Sequence, residues 1–487
     1  MIPAPLQQLV DQLPQAFRGV VEAVVLYYES ENRQLKERIT DLEAQLNQNS
    51  KNSHKPPGSD GFKKPKRTRS LRKKSDRKPG GQPGHKGHKL DRSEDIDQMI
   101  VHPVSTCECC GKNLRDLDVL DHVKRQVFDL PELGLQVIEH QAELKMCSCG
   151  TVSQGQFPDH VRGEVQYGPR VRGLASYLQN YQLLPYQRSA ELLRDVFAVS
   201  LSEGTLYNIS DQAFNNLEGF ETQLKQCLKA QDLLHSDETG LRVQGKLQWL
   251  HTTSNDVYTH YQVHPKRGYE AMQAIGILPH FKGVLVHDCL RSYFRYDEAE
   301  HGICLAHILR ELQAQIEQKQ DWAKQMTKLI IAMKKSKDRA IDQGKDGVSA
   351  ATIKDYQKQY RRIIRRGNRA NPLPPKDYNR PKKKKRTKAQ NLLKRLRERE
   401  EAVFRFYTDF EVPFDNNLAE RDLRMAKVKQ KISGCFRSEQ GAHYFARLRS
   451  YISTAKKQKI NVLEALRQIF DPAASQPIFN FEASLAR

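Results

Sequence analysis

Two short apolar runs, each stopping at an aspartate, constrain this chain more than anything else in it. Leu233-Leu234-His235-Ser236-Asp237 precedes Glu238-Thr239-Gly240, and Val284-Leu285-Val286-His287-Asp288 precedes Cys289-Leu290-Arg291. Runs of this kind read as strands, and the residues after them place each Asp at a strand's exposed end. A third acid, Glu420, lies in the stretch 412–424. There Asp415-Asn416-Asn417 offers a helix N-cap, and Leu418-Ala419-Glu420-Arg421 reads as the helix it starts. Two strand-end aspartates and one helix glutamate make an all-oxygen cluster suited to Mg²⁺ or Mn²⁺. Such a cluster is the usual holder of two metals in phosphodiester cleavage.

Three neighbouring acids compete for the same role. Glu238 follows an assigned ligand, and strand alternation predicts that it faces away. Asp422 lies two residues past Glu420 and so off its helix face. Asp415 sits in the cap.

The chain has 487 residues and a formal net charge of +22. Several domains and a sizeable core fit that length, and the charge points to a polyanionic partner, nucleic acid first. No apolar run is long enough to span a bilayer. The start, Met1-Ile2-Pro3-Ala4-Pro5-Leu6, lacks the basic-then-apolar order of a secretory signal. Nine cysteines in a chain this long do not suggest a disulfide framework, and a reducing cytoplasm is the expected location.

Residues 1–50 form the first expected unit. Val21, Val25, Tyr28, Asn32, Leu35, Ile39, Leu42 and Leu46 alternate steps of four and three. With Asn32 at an a position and Leu at d, the seam at 21–46 predicts a parallel two-stranded coil between two copies. The alternative is an amphipathic helix packed on its own domain. Residues 51–95 follow as a basic arm. Ten Lys/Arg against one acid lie between Gly61 and Gly80, Lys73 and Lys74 among them. That composition cannot bury a core and suits phosphate contact.

Residues 96–160 carry Cys107-x-x-Cys110-Gly111 and Cys147-x-Cys149-Gly150. These two knuckles predict one structural, tetrahedral Zn²⁺ on Cys107, Cys110, Cys147 and Cys149. Cys109, His102 and His122 remain possible substitutes. The spacer reads as strands at 126–131 and 136–144. Residues 161–225 read as helices broken by Pro185 and reopened at Ser202. They suit either a helix-turn-helix reader, with Arg188 and Thr205 against DNA, or a packing bundle.

Residues 226–455 read as strands, a helix near Tyr269 to Ile275, then a strand ending in Asp288. That order suggests an RNase H-like α/β core with a basic helical insertion at about 301–410. The stretch 361–400 holds seventeen Lys/Arg against three acids, including Lys383 and Lys384, and suits a nucleic-acid backbone. Arg421, Arg424, Lys427 and Arg437 flank the glutamate and are further candidate strand contacts. Residues 456–487 are a tail. The expected whole is a multidomain α+β protein.

Together these stretches resemble the bacterial insertion-sequence transposases of the IS66 type over nearly the whole chain. The resemblance rests on the heptad segment with its Asn-Ser-Lys tail and on Lys78-Pro79-Gly80-Gly81-Gln82-Pro83-Gly84-His85-Lys86-Gly87. It rests also on the cysteine knuckles, Asn180-Tyr181-Gln182-Leu183-Leu184-Pro185-Tyr186-Gln187-Arg188 and Asp237-Glu238-Thr239-Gly240. Pro413-Phe414-Asp415-Asn416-Asn417-Leu418-Ala419-Glu420-Arg421 and Ser450-Tyr451-Ile452-Ser453-Thr454-Ala455 complete it. The resemblance implies an RNase H-like domain with the catalytic triad Asp237, Asp288 and Glu420. It also implies two Mg²⁺ (or Mn²⁺), a zinc-ribbon-like module and helices inserted before the glutamate. Small accessory proteins of the same mobile element are implied partners, and no membrane. Asp237 is assigned the bridging position, with Asp288 and Glu420 each on one metal. Cys304-x-x-His307 and Trp322 resemble features between the second Asp and the Glu of related enzymes, read here as structural or strand-positioning. His301, Cys304 and His307, at helical spacing, read as a packed helix face rather than a second metal site.

The expected activity is binding of element ends, cleavage to expose 3′-OH groups, and strand transfer into target DNA. A catalytically inactive DNA-binding regulator and a structure-selective nuclease on the same core are the competing readings.

Overall fold

A computed structural model describes residues 10–53, 90–131, 133–158, 160–373, 386–471, 478, 479 and 481. Lys73, Lys74, Lys383 and Lys384 lie outside the described residues. The chain divides into two units, Arg67–Gln136 and the remainder, Met1–Lys66 with Val137–Arg487.

A five-stranded mixed sheet positions the acids. Strands β3 (Leu233–Val243), β4 (Lys246–Ser254) and β5 (Thr259–His264) form an antiparallel meander. Strands β6 (Val284–His287) and β7 (Glu300–Ile303) add in parallel on the other side of β3, giving the order β5-β4-β3-β6-β7. A two-residue turn at Gln244 and Gly245, both at positive φ, closes the first hairpin.

Two sequence expectations change here. Asp237 is not at a strand end: β3 runs on through Glu238-Thr239-Gly240, paired against His251, Leu250 and Trp249 of β4. Asp237 is therefore mid-strand, at the level where β6 has already ended. Glycine weakens a strand's sequence signal, but the β4 ladder carries the pairing through Gly240. The second change is at 300–303, where β7 precedes the first helix of the insertion; four residues containing a glycine gave no strand signal.

Most of the other described residues are helical. Helix α1 (Gln15–Leu46) leaves Tyr28, Leu35, Ile39, Leu42 and Leu46 of its seam exposed. Among the described residues, no helix is long and apolar enough to cross a membrane. Helices α2 (Pro169–Ser176), α3 (Tyr186–Phe197), α4 (Glu203–Asn216) and α5 (Glu218–Lys229) follow, with Pro169 at a helix start and Ser202 Oγ capping α4. They share one core with α6 (Tyr269–Ile275) and with the later C-terminal helices.

The inserted helices are α7 (Leu305–Glu317), α8 (Asp321–Asp342), α9 (Ala350–Ala370), α10 (Lys388–Glu398) and α11 (Glu400–Thr408). They enclose a second core that includes Trp322. Lys337, buried in α8, donates to the carbonyls of Phe406, Phe410 and Val412 at 2.8–2.9 Å. Those bonds satisfy the irregular backbone that leads into α12 (Asn417–Ser433).

Helix α13 (Glu439–Lys457) covers edge strand β5. Ser450 Oγ and Thr454 Oγ1 accept from the backbone N–H groups of Tyr261 (2.8 Å) and Thr259 (3.2 Å). The exposed ladder groups of an edge strand are satisfied in this way. Helix α14 (Val462–Gln468) completes that core.

The two cysteine knuckles fall in different units. In each, the glycine after the second Cys is left-handed, Gly111 at φ 70° and Gly150 at φ 87°. Each glycine N–H donates back to the first cysteine's carbonyl at 2.9 Å. Strands β1 (Leu144–Met146) and β2 (Val152–Gln154) frame the second knuckle. The strands expected at 126–131 and 136–144 are otherwise irregular. Val127, Val137 and Ile138 are largely exposed, so the alternation has no face to pack against.

Candidate active site

Register brings the two aspartates level. Parallel pairing of β3 with β6 matches Leu233 with Val284, Leu234 with Leu285 and His235 with Val286. Two residues further along both chains stand Asp237 and Asp288. Consecutive residues alternate faces, so the same count puts both side chains on one side of the sheet. Carboxylate oxygens of Asp237, Glu238 and Asp288 all lie within 4.8 Å of one another.

Glu238 corrects the expectation that it would face away. Alternation fixes only the Cβ direction, and this longer side chain is drawn back by two anchors. Its Oε1 accepts from Arg267 Nε at 2.8 Å and its Oε2 from the Tyr293 hydroxyl at 2.7 Å. Arg267 lies over the Trp249 ring, 4.8 Å from its centroid, with Nη2 3.8 Å from Asp288 Oδ2. Both Glu238 oxygens are thus engaged. Asp237 Oδ1 and Asp288 Oδ1 each accept one backbone N–H, from Glu238 and Leu290, at 2.9 Å.

Burial, then the charges of Glu238 and Asp288, push the Asp237 carboxyl well above the usual range; Glu420 adds to the push. A crowded, poorly hydrated carboxylate set of this kind is relieved by a divalent cation, so the residues fit the metals expected of them.

Glu420 sits in the first turn of α12, its N–H bonded to the carbonyl of Asn416. The N-cap works differently from its sequence reading. Asn416 is the cap residue, but its side chain makes no cap bond. Instead Asn416 Nδ2 donates to the carbonyl of Ser236 at 2.9 Å, and Oδ1 lies 2.8 Å from His235 Nδ1. Asp415 takes over part of the capping, accepting from the N–H of Asn417 at 3.1 Å. The start of the glutamate helix is thereby fastened to the residues just before Asp237.

The Glu420 carboxylate does not fall in the tight Asp237–Glu238–Asp288 group. It shares a second one with Cys304 and His307, again with ligand atoms within 4.8 Å. Burial raises its carboxyl, against the pull of Arg310 and Arg424. Asp422 is committed elsewhere, to Lys457 Nζ at 2.8 Å.

Arg188, Arg421, Arg424, Lys427 and Arg437 are exposed. Lys427 Nζ donates to the carbonyl of Gly240, tying α12 to β3 a second time. The Thr205 hydroxyl pairs with Ser202 Oγ at 2.9 Å inside the α4 cap. His301 pairs with His287 at 3.1 Å, not with Cys304 or His307. The Trp322 indole donates to Gln320 Oε1 at 2.8 Å within the insertion's core. Sequence reasoning missed Arg267, Tyr293 and the docking role of Asn416. Only the Asn-Asn pair before the helix marked anything there, and it reads as a cap.

Comparison with known proteins adds two matches. A family model described as Transposase IS66 family matches residues 164–444, more than half of the chain. Another, described as a family of unknown function (DUF6444), matches residues 3–91. No curated protein matches.

Proposed function

Because this chain belongs to the transposase IS66 family, we propose that it binds the inverted-repeat ends of its mobile element, cleaves them to expose 3′-OH groups and joins them to target DNA. The observation that carries this reading is the level placement of Asp237 and Asp288 across β3 and β6, with Glu420 held nearby through Asn416. The sheet order β5-β4-β3-β6-β7, antiparallel on one side of the central strand and parallel on the other, supports an RNase H-like core.

In this reading Asp237, Asp288 and Glu420 would hold two Mg²⁺ or Mn²⁺ ions, which when bound would supply activation of the attacking hydroxyl and charge stabilisation at the leaving 3′ oxygen. The protein's own groups do the positioning. Arg267 and Tyr293 keep Glu238 occupied, leaving Asp237 and Asp288 as the ligands at the strand. Asn416 sets where α12 begins, and so where Glu420 points. Arg421 and Arg424 offer cations one residue and one turn beyond Glu420, where a phosphate backbone would pass.

Two expectations outside the catalytic core also become proposals. The support for structural Zn²⁺ is local: each knuckle has its own tight turn, and hydrogen bonding with Thr151 brings the Cys149 thiol down to about 7. The exposed seam of α1 supports pairing of two copies. Helices α2 to α5 pack on the same core as the C-terminal helices, which favours the bundle over a free helix-turn-helix.

The test is strand transfer of an end-bearing duplex with Mg²⁺. Wild type should yield joined product, and Asp237→Ala should lose it by several orders of magnitude. Equal activity, or none in either, would remove the enzyme and leave a DNA-binding regulator.

A further inference from the structure

The second ligand cluster has a chemistry that the first lacks. Cys304 is fully buried at the start of α7, and His307 Nδ1 lies 3.2 Å from its Sγ. Glu420 Oε1 lies 3.8 Å from the same nitrogen. Three donors arrayed around one tetrahedral ion, with bonds of about 2.3 Å to sulfur and about 2.0 Å to nitrogen and oxygen, stand about 3.3–3.6 Å apart. The sulfur–nitrogen spacing of 3.2 Å is just below that range, the nitrogen–oxygen spacing of 3.8 Å is slightly above it, and all three ligand atoms lie within 4.8 Å of one another.

Two further observations point to an ion. Glu420 Oε1 is buried without a hydrogen-bond partner. Cys304 Sγ also receives the Asn416 backbone N–H at 3.3 Å. Such a bond steadies a thiolate on a metal and belongs to the outer shell of many metal sites.

We propose that Cys304, His307 and Glu420 form a site for a thiophilic divalent cation such as Zn²⁺, and that filling it withdraws Glu420 from the Asp237–Asp288 pair. The donor set decides the ion. Thiolate and imidazole favour Zn²⁺, Co²⁺ or Cd²⁺ and reject Mg²⁺, whereas the all-oxygen aspartate cluster accepts Mg²⁺ or Mn²⁺. On binding, the thiol gives its proton to solvent, and sulfur, imidazole nitrogen and carboxylate oxygen each donate an electron pair. The fourth position stays open to water. Because Glu420 Oε1 faces His307 and lies outside the Asp237–Asp288 group, a micromolar soft metal that holds the carboxylate there would switch the enzyme off in the presence of millimolar Mg²⁺. The inhibitory effect rests on the proposed strand-transfer function; the binding does not.

The experiment is Co²⁺ titration of the full-length protein, followed by the sulfur-to-cobalt charge-transfer band and by bound-metal count. Cys304→Ser should lose one equivalent and its share of the band, with the knuckle cysteines retaining theirs. Glu420→Gln should weaken the same equivalent about 10-fold or more. His307→Gln, whose thiol core is untouched, gives the same loss if Cys304→Ser fails to fold. Identical spectra and counts in wild type, His307→Gln and Glu420→Gln would overturn the site. In parallel, Zn²⁺ should inhibit strand transfer at least 10-fold less in His307→Gln than in wild type. If cobalt binds as described but no strand transfer is seen in any protein, the transposase reading fails while the site stands. If transfer proceeds and the cobalt equivalent is missing, only the site fails.

Discussion

Asn416 Oδ1 and His235 Nδ1 lie 2.8 Å apart, in a buried bond joining segments 181 residues apart in sequence. Burial lowers the pKa of His235, keeping its ring neutral, and the companion bond from Asn416 Nδ2 to Ser236 fixes the amide's orientation. This amide links the strand of Asp237 to the start of the Glu420 helix, one turn of chain from the carboxylate, while Lys427 ties the helix to the strand further along.

Asn416→Ala should therefore damage catalysis more than folding. Leaving His235 and the Ser236 carbonyl unsatisfied costs about 1–3 kcal/mol, visible as a lower melting temperature. Strand transfer should fall at least 10-fold, chiefly in the rate at saturating DNA, because Glu420 loses its register. A variant that melts lower but transfers at the wild-type rate would show that the link is structural only.

The metal-free acid cluster should be a source of instability. Burial and the neighbouring carboxylates disfavour the charged form of Asp237. Asp237→Asn removes that charge, so in EDTA the variant should melt about 2–4 °C above wild type, a gain of roughly 1 kcal/mol. Mg²⁺ should raise the wild-type melting temperature and leave the variant's almost unchanged. Thermal scans with and without Mg²⁺ check both halves.

Acid stability should depend on Glu221. Burial pushes its carboxyl up, but His260 Nε2 at 3.0 Å, Lys225 at 3.8 Å and the Arg447 guanidinium outweigh burial and bring it down to about 2. Burial keeps His260 neutral, so its ring N–H donates while Arg447 and Lys225 supply the charge. A carboxyl with a folded value below its unfolded 4.5 binds fewer protons when folded. Its contribution is complete above about pH 4.5 and fades as pH falls toward about 2. Urea midpoints of wild type should drop across that interval, and those of Glu221→Gln should start lower and change less.

Pairing of α1 should depend on its exposed seam. Leu35→Glu with Leu42→Glu places charges at two d positions and should convert a dimer to a monomer in sedimentation, with the melting of the domain that carries the five-stranded sheet unchanged. An unaltered oligomeric state would locate self-association elsewhere.

How much of this was legible in the sequence differs from residue to residue. The strand ending at His287 and the helix at Tyr269–Ile275 announced themselves, because β-branched runs and helical periodicity are local properties. Gly240 hid the continuation of β3, since its place in the strand depends on the ladder to Trp249. Glu238 looked like a bystander because alternation says nothing of Arg267 and Tyr293, which come from distant segments. Asn416 looked like a cap because its composition fits one; only the approach of β3 diverts its side chain. Cys304 and His307 were read with His301 as one helix face. The structure places His301 in a strand and brings in Glu420, more than a hundred residues away.

The most direct test of the central claim is a count of bound Mn²⁺ by electron paramagnetic resonance, on full-length protein with an end-bearing duplex. Wild type should hold two ions, and Asp237→Asn, Asp288→Asn and Glu420→Gln should each lose at least one. A Glu420→Gln protein that holds Mn²⁺ as wild type does would contradict the shared site.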